Sequence, residues 1–209
     1  MHLRLHHLHM SRSTRIIWLL EELGLDYERI DYHRDPVTRR APDSLRAVHP
    51  LGKAPVLEVD GVVIAESGAI IEYLLETLDD RQLAPTSGSA RAHYLEWMHY
   101  AEGSAMLPVM LNILGQFRGG LPPAIAAFEG PETAAALGHI ASSIKPGGYL
   151  LASGFSAADI QIHYVVGAAR WLGLIDPYPE LAAYLDLLEA RPAHRKAIEI
   201  GGPVFLPRN

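Results

Sequence analysis

Val56-Leu57-Glu58-Val59-Asp60-Gly61-Val62-Val63-Ile64-Ala65-Glu66-Ser67-Gly68-Ala69-Ile70-Ile71-Glu72-Tyr73-Leu74-Leu75 changes grammar twice in one short stretch. Two β-branched runs flank Asp60-Gly61, a pair suited to the positive φ that both central positions of a type I′ turn require. This predicts an antiparallel hairpin of Val56 to Val59 and Val62 to Ala65. The period then shifts to helical: Ile70, Ile71, Leu74, Leu75 and Leu78 share one face of a helix starting at Ser67-Gly68, where a hydroxyl can cap the first free amides.

Upstream, Leu3 to His7 reads as a strand. Ile16, Leu19, Leu20 and Leu23 recur at helical spacing, and Gly24 supplies a left-handed stop. Tyr27 to Tyr32 reads as a second strand. The order is β-α-β, a connection, then β-β-α, which predicts a mixed four-stranded sheet covered by helices. Downstream, Asp79 to Ser89 carries Pro85 and Gly88 with no apolar period and reads as a linker. From Ser89 the chain reads helical, with breaks at Gly119 to Pro123, Lys145 to Gly148 and Asp176 to Pro179. Ser156-Ala157-Ala158-Asp159 forms a capping box expected to open the core helix of a bundle. Mid-helix Gly103 implies a close approach or a local kink. The expected organisation is an α/β domain over residues 1–80, a linker over 81–88, and an all-helical domain over 89–209.

Length and composition bound the function. The 209 residues, 49% hydrophobic and 20% charged, can bury a sizeable core. A formal charge of −6 argues against a surface that neutralises nucleic-acid or membrane phosphates, so a small soluble partner is expected. The chain has no cysteine, which excludes disulfides, thiolate metal ligands and a protein thiol nucleophile; any sulfur chemistry must use sulfur from a bound molecule. Apolar runs are too short to span a bilayer and the first residues lack a signal-peptide pattern, so a cytoplasmic protein is expected.

Three segments carry candidate chemistry. Ser11-Arg12-Ser13-Thr14-Arg15 lies between the first strand and helix, where hydroxyls and unpaired amides attract negative charge, or where a serine simply caps the helix. Lys53-Ala54-Pro55-Val56 puts a proline directly before a central strand, for which a cis bond is one solution, and would leave the backbone of Ala54 available to a ligand. Glu66-Ser67 opens a helix, where amides and hydroxyl suit a carboxylate and Glu66 suits an ammonium. An α-amino acid head group carries both charges. The 11 histidines include His6, His7 and His9, which alternate along one strand and its exit without an acidic partner at ligand spacing, so no metal site is expected.

Taken together, the Ser-containing loop, Trp18 to Gly24, Gly52 to Leu57, Asp60-Gly61, Glu66 to Leu74, Glu96 to Ser104 and the Ser156 to Asp159 box resemble the cytosolic glutathione S-transferases, and bacterial members in particular. The resemblance spans essentially the whole chain. It implies a thioredoxin-like first domain that binds glutathione as co-substrate and a helical second domain that supplies the acceptor pocket and the contacts of a homodimer. It implies that Glu66 and Ser67 hold the γ-glutamyl head group, Ala54 pairs with the cysteinyl unit, and Lys53 lies near the glycyl carboxylate. Tyr100 and Met106 fall where the resemblance puts an electrophilic acceptor, with helix core as the competing role. Ser11 is the expected catalytic residue, while Ser13 or the helix amides remain competitors. The implied activity is attack of the glutathione thiolate on small, mostly apolar electrophiles. Alternatives are a glutathione-dependent isomerase, peroxidase or dehalogenase, or a non-catalytic binding module.

Overall fold

The computed structural model describes residues 1–78 and 82–205. Residues 79–81, at the start of the expected linker, and 206–209, at the end of the expected second domain, lie outside the described residues. Two compact units emerge, one of residues 1–78 with 190–205 and one of residues 82–189.

In the first unit, β1 (Leu3–Leu8), β2 (Glu28–Tyr32), β3 (Val56–Val59) and β4 (Val62–Ala65) form a sheet of order β2-β1-β3-β4. β1 runs parallel to β2 and antiparallel to β3, and β3 pairs antiparallel with β4, giving the mixed four-stranded sheet that the pattern predicts. Asp60 and Gly61 adopt φ of 49° and 88°, the turn chemistry read from the hairpin. Helix α1 (Ser13–Leu23) ends at Gly24 in the left-handed conformation, and α3 (Ser67–Thr77) packs against it. Leu5, Ile16, Ile17, Leu19, Leu20, Leu57, Ile70, Ile71 and Leu74 are fully buried between sheet and helices. Each such side chain contributes about 1.5–3 kcal/mol relative to exposure.

A short helix, α2 (Asp43–Val48), sits in the connection between β2 and β3. It has six residues and one buried apolar side chain, Leu45, so it leaves no periodic stripe in the sequence. Leu45 packs with Leu8, Tyr32 and Ala54, which fixes the connection beside the end of β1.

The second unit is helical: α4 (Gly88–Tyr100), a π-helical turn (Ala101–Ala105), α5 (Met106–Arg118), α6 (Pro123–Ser143), α7 (Ala157–Leu172) and α8 (Pro179–Glu189). Thirteen of the sixteen residues of α7 are buried, so the helix opened by the capping box is the core helix. Gly103 lies inside the π-helical turn, and a Cβ built there would meet no atom within 4 Å. It marks a change of helical winding rather than a close approach.

The chain beyond α8 departs from the expected 89–209 domain. Helix α9 (Pro192–Gly201) belongs to the first unit, where it packs along α1. Arg191 donates to both carboxylate oxygens of Glu22 at 2.6 and 2.8 Å, Lys196 pairs with Glu21 at 2.9 Å, and His194 meets the Trp18 ring edge-on at 4.7 Å. Periodicity identifies a helix but not the surface that receives it, which here is set by residues about 170 positions earlier. Among the described residues, no helix is long and apolar enough to cross a membrane.

Candidate functional site

The start of α1 is built from serines. Ser11 Oγ accepts from the Ser13 backbone N–H at 3.2 Å and lies 2.7 Å from Ser13 Oγ. Its carbonyl accepts from the Thr14 amide and hydroxyl at 3.4 and 3.3 Å. Ser11 therefore starts the helix as a cap would, yet it also lines a cavity. Ser11 and Ser13 are both buried, and Met10 precedes them at φ 56°.

That cavity measures about 680 Å³ and brings Ser11 together with Lys53 and Ala54, three of the expected site residues. The Ala54-Pro55 bond is cis. Arg12, Arg34, Arg39, Arg40 and Arg46 also line it, facing the acidic side chains of Asp35 and Asp43. Asp35 is committed to its own loop: its carboxylate accepts from the Val37 and Thr38 amides at 3.0 and 2.6 Å, and those bonds hold its carboxyl below the usual range. Residues 1–80 carry nine Lys/Arg and 14 Asp/Glu, yet this cavity is strongly cationic. Summed charge hid it; the cluster Arg34 to Arg40 was the sequence signal that pointed there.

Glu66 and Ser67 lie where β4 meets α3. Glu66 is exposed and held at φ 72°, ψ 120°, a region that side-chain-bearing residues rarely occupy. Such strain costs on the order of 1–3 kcal/mol and gathers where a ligand must be met. No side chain caps the first turn of α3. Buried Arg15, one turn into α1, donates from Nη1 to Ser67 Oγ at 3.2 Å. This guanidinium ties the serine loop to the start of α3 and adds positive charge beside a helix N-terminus, a combination suited to a carboxylate.

Tyr100 and Met106 belong to the second unit. Met106 is buried in its core, the packing role that competed with an acceptor site. Tyr100 is half-buried, edge-on to the rings of Trp97 and His139 at 5.4 and 5.1 Å, and burial followed by the Glu132 charge pushes its phenol up.

The histidines of β1 differ from their expected isolation. The parallel register sets His7 opposite Asp31, and ligand atoms of His7, His9 and Asp31 lie within 4.8 Å of one another. An acidic partner is thus present, supplied by strand pairing rather than by sequence spacing. Both nitrogens of His7 are engaged, however: Nδ1 with Ser13 Oγ at 2.8 Å and Nε2 with the Gly201 carbonyl at 2.9 Å. Arg29 pairs with Asp31 at 2.9 Å and also donates to the Ile200 carbonyl. His9 stacks on His33 at 4.2 Å. The group works as a hydrogen-bonded junction between the sheet and the end of α9. His6 is tied likewise to the Tyr32 hydroxyl at 2.9 Å and to Glu58 at 2.8 Å.

Known proteins resemble this chain in sequence and fold. Residues 1–76 match the family described as glutathione S-transferase, N-terminal domain. The chain is 34% identical to Glutathione S-transferase 3 of Schizosaccharomyces pombe, over 93% of this chain and 86% of that protein. It is 29% identical to Glutathione S-transferase 1 of Saccharomyces cerevisiae, over 94% of both. A crystal structure of a glutathione S-transferase from Actinobacillus pleuropneumoniae superposes with a TM-score of 0.85 at 32% identity, covering 95% of this chain and 92% of that one. With a mixed sheet carrying a serine loop, a cis-proline and a strained Glu66-Ser67 helix start, and with relatives alike over nearly their whole length, the chain belongs to the glutathione S-transferase family.

Proposed function

We propose that glutathione binds along the first unit with its γ-glutamyl head at Glu66 and Ser67, its cysteinyl backbone at Ala54, and its glycyl carboxylate toward Lys53 in the cationic cavity. Ser11 is then the catalytic residue that meets the sulfur. The observation that carries this reading is that Ser11, Lys53 and Ala54 share one cavity while Arg15 links the same serine loop to Ser67.

A free thiol with pKa about 8.5 is roughly 3% ionised at pH 7, and lowering that value by about 2 units gives roughly 75% thiolate, at about 2.7 kcal/mol. A charge-assisted hydrogen bond from Ser11 together with the N-terminal dipole of α1 supplies most of it. The thiolate attacks an electrophilic carbon of a small, mostly apolar acceptor, a chemistry suited to detoxification. Tyr100 is the acceptor-side residue kept in this reading, since Met106 is core. The protein acts in the cytoplasm as a homodimer; exposed Val62, Val63 and Tyr73 in the first unit and Leu107, Leu114 and Phe128 in the second support the association.

The test is absorbance near 240 nm against pH for the glutathione complex, followed by turnover of an activated aryl chloride and of a peroxide. Ser11→Ala should raise the bound thiol's pKa by about one unit, the loss expected for a hydrogen bond to a charged group. A Ser11→Ala complex that titrates like the parent assigns the thiolate to Ser13 or to backbone amides instead. Sedimentation near 23 kDa at micromolar concentration would refute the dimer.

A further inference from the structure

Beneath Ser11 runs a buried chain of polar groups whose hydrogens can be assigned. The Gly201 carbonyl only accepts, so His7 Nε2, at 2.9 Å, carries the hydrogen. His7 is fully buried. Around its ring stand His9 from the exit of β1, Arg29 and Asp31 from β2, the Ser13 hydroxyl from α1 and the Gly201 carbonyl from α9. Burial outweighs the nearby Asp31 charge and pushes the imidazole down to about 4, so the ring is neutral where a thiol titrates. A neutral ring with hydrogen on Nε2 has a bare Nδ1, which must accept from Ser13 Oγ at 2.8 Å.

Ser13 has one hydroxyl hydrogen, and it is drawn inward by His7 Nδ1 at 2.8 Å and, at a longer 3.2 Å, by the Leu8 carbonyl, so none is left for Ser11. The hydrogen between Ser11 and Ser13, whose oxygens are 2.7 Å apart, therefore comes from Ser11. The Ser11 hydroxyl points inward, along a chain running Ser11 to Ser13 to His7, with the imidazole fixed in turn by α9. The approach is close: a Cβ at Gly201 would lie 2.7 Å from Ile17 Cδ1 and 3.2 Å from His7 Cε1, so a side chain there would have to displace Ile17 and press on the ring.

We propose that His7 and Ser13 are positioning residues of the thiol site: together they hold the Ser11 hydrogen inward, so that it swings to the sulfur only when a thiolate draws it out. This rests on Ser11 meeting the sulfur. Donation to the thiolate leaves Ser13 facing Ser11 with no hydrogen between their oxygens, because His7 keeps the Ser13 hydrogen. The chain thus sets the thiol's pKa above what Ser11 alone would produce. Removing Ser13 takes away the inward acceptor of the Ser11 hydrogen, and removing His7 leaves only the longer contact to the Leu8 carbonyl competing with Ser11 for the Ser13 hydrogen; either change frees Ser11 to donate outward.

The expected signs are opposite to those of ordinary damage. In the full-length protein with glutathione bound, titrated near 240 nm, Ser13→Ala and His7→Leu should each lower the thiol pKa by about half a unit to one unit, the scale of one hydrogen bond. The double variant should shift it no further than either single one, because both act on the same hydrogen. His7→Asn, whose Oδ1 takes the place of Nδ1, should titrate within a few tenths of the parent. If Ser13→Ala and His7→Leu leave the thiol pKa unchanged or raise it while Ser11→Ala raises it, the positioning role is wrong although Ser11 stays at the sulfur. If Ser11→Ala itself has no effect, the Ser11 assignment falls and this inference with it. Ser13→Ala leaves the Gly201 contact intact, so the test stands even where His7→Leu does not fold; a purely structural His7 would lower the melting temperature and leave the thiol's titration where it was.

Discussion

Two helices of this protein open on a serine and an acid, and they use them in opposite ways. At the start of α7 the pair closes on itself. Asp159 is fully buried and accepts from the Ser156 amide at 2.8 Å and hydroxyl at 3.1 Å, from the Leu150 amide at 3.1 Å, and from the Tyr184 hydroxyl at 3.1 Å. At the start of α3 no side chain caps the first turn, Glu66 stands exposed, and the backbone is strained rather than relaxed. A helix start whose donors are all answered from within is scaffold; one kept open against its own backbone preference is held for something else. Residue type does not separate the two cases, but the partners do.

The largest effect should come from breaking the closed start. Asp159→Ala strands several buried donors at once and should cost about 3–5 kcal/mol in urea unfolding, with glutathione affinity unchanged in the protein that still folds. A loss below about 1 kcal/mol would show that the box does not hold the second unit together. The open start should respond the other way round. Ser67→Ala and Glu66→Ala should weaken glutathione binding roughly 10- to 150-fold by calorimetry, corresponding to about 1.5–3 kcal/mol, while unfolding energies move by about 1 kcal/mol or less. Unchanged affinity in both variants would remove this helix start from the binding site.

Glu66→Gly sharpens the contrast, since glycine accepts positive φ without strain. The variant should gain about 1 kcal/mol of stability while binding glutathione more weakly. Binding retained alongside the gain would mean that the strained residue serves the fold only.

The smallest effect distinguishes the two units by pH. Burial raises the Asp159 carboxyl to about 6, above its unfolded value, so its contribution to stability falls as pH rises from about 4 to 6. Burial depresses His7 to about 4, below its unfolded value of 6.5, so its contribution falls as pH drops from 6.5 toward 4. Acidification across that window thus strengthens one unit's buried group and weakens the other's. Unfolding energies measured between pH 4.5 and 7 should lose one slope in Asp159→Asn and the opposite slope in His7→Asn.

What was legible in the sequence is what local chemistry decides. Asp60-Gly61 announces its turn, the stripe from Ile16 to Leu23 its helix, and Ser156 to Asp159 its cap, because each signal lies within one turn or one helical face. Ser11, Lys53 and Ala54 line one cavity, and Met106 is buried. The unread features are tertiary. Helix α2 has a single buried anchor, the π-helical turn around Gly103 keeps a helical pattern while changing its winding, and the cationic cavity gathers residues from Arg12 to Lys53. His7 looked like an alternating strand residue because its partners come from α1 and from α9.

The return of α9 to the first unit fixes an order of events during synthesis. The residues that place Ser11 are made early, but the carbonyl that orients His7 belongs to a glycine 194 positions later. The whole second unit, residues 82–189, leaves the ribosome in between with all its own partners present. The later-made domain is therefore free to finish first, and the glutathione-binding domain waits half-built until α9 arrives. A nascent or truncated chain lacking α9 would carry the serine loop, the strands and the His7 ring without the carbonyl that orients that ring, so the polar chain behind Ser11 is complete only once translation has passed Gly201.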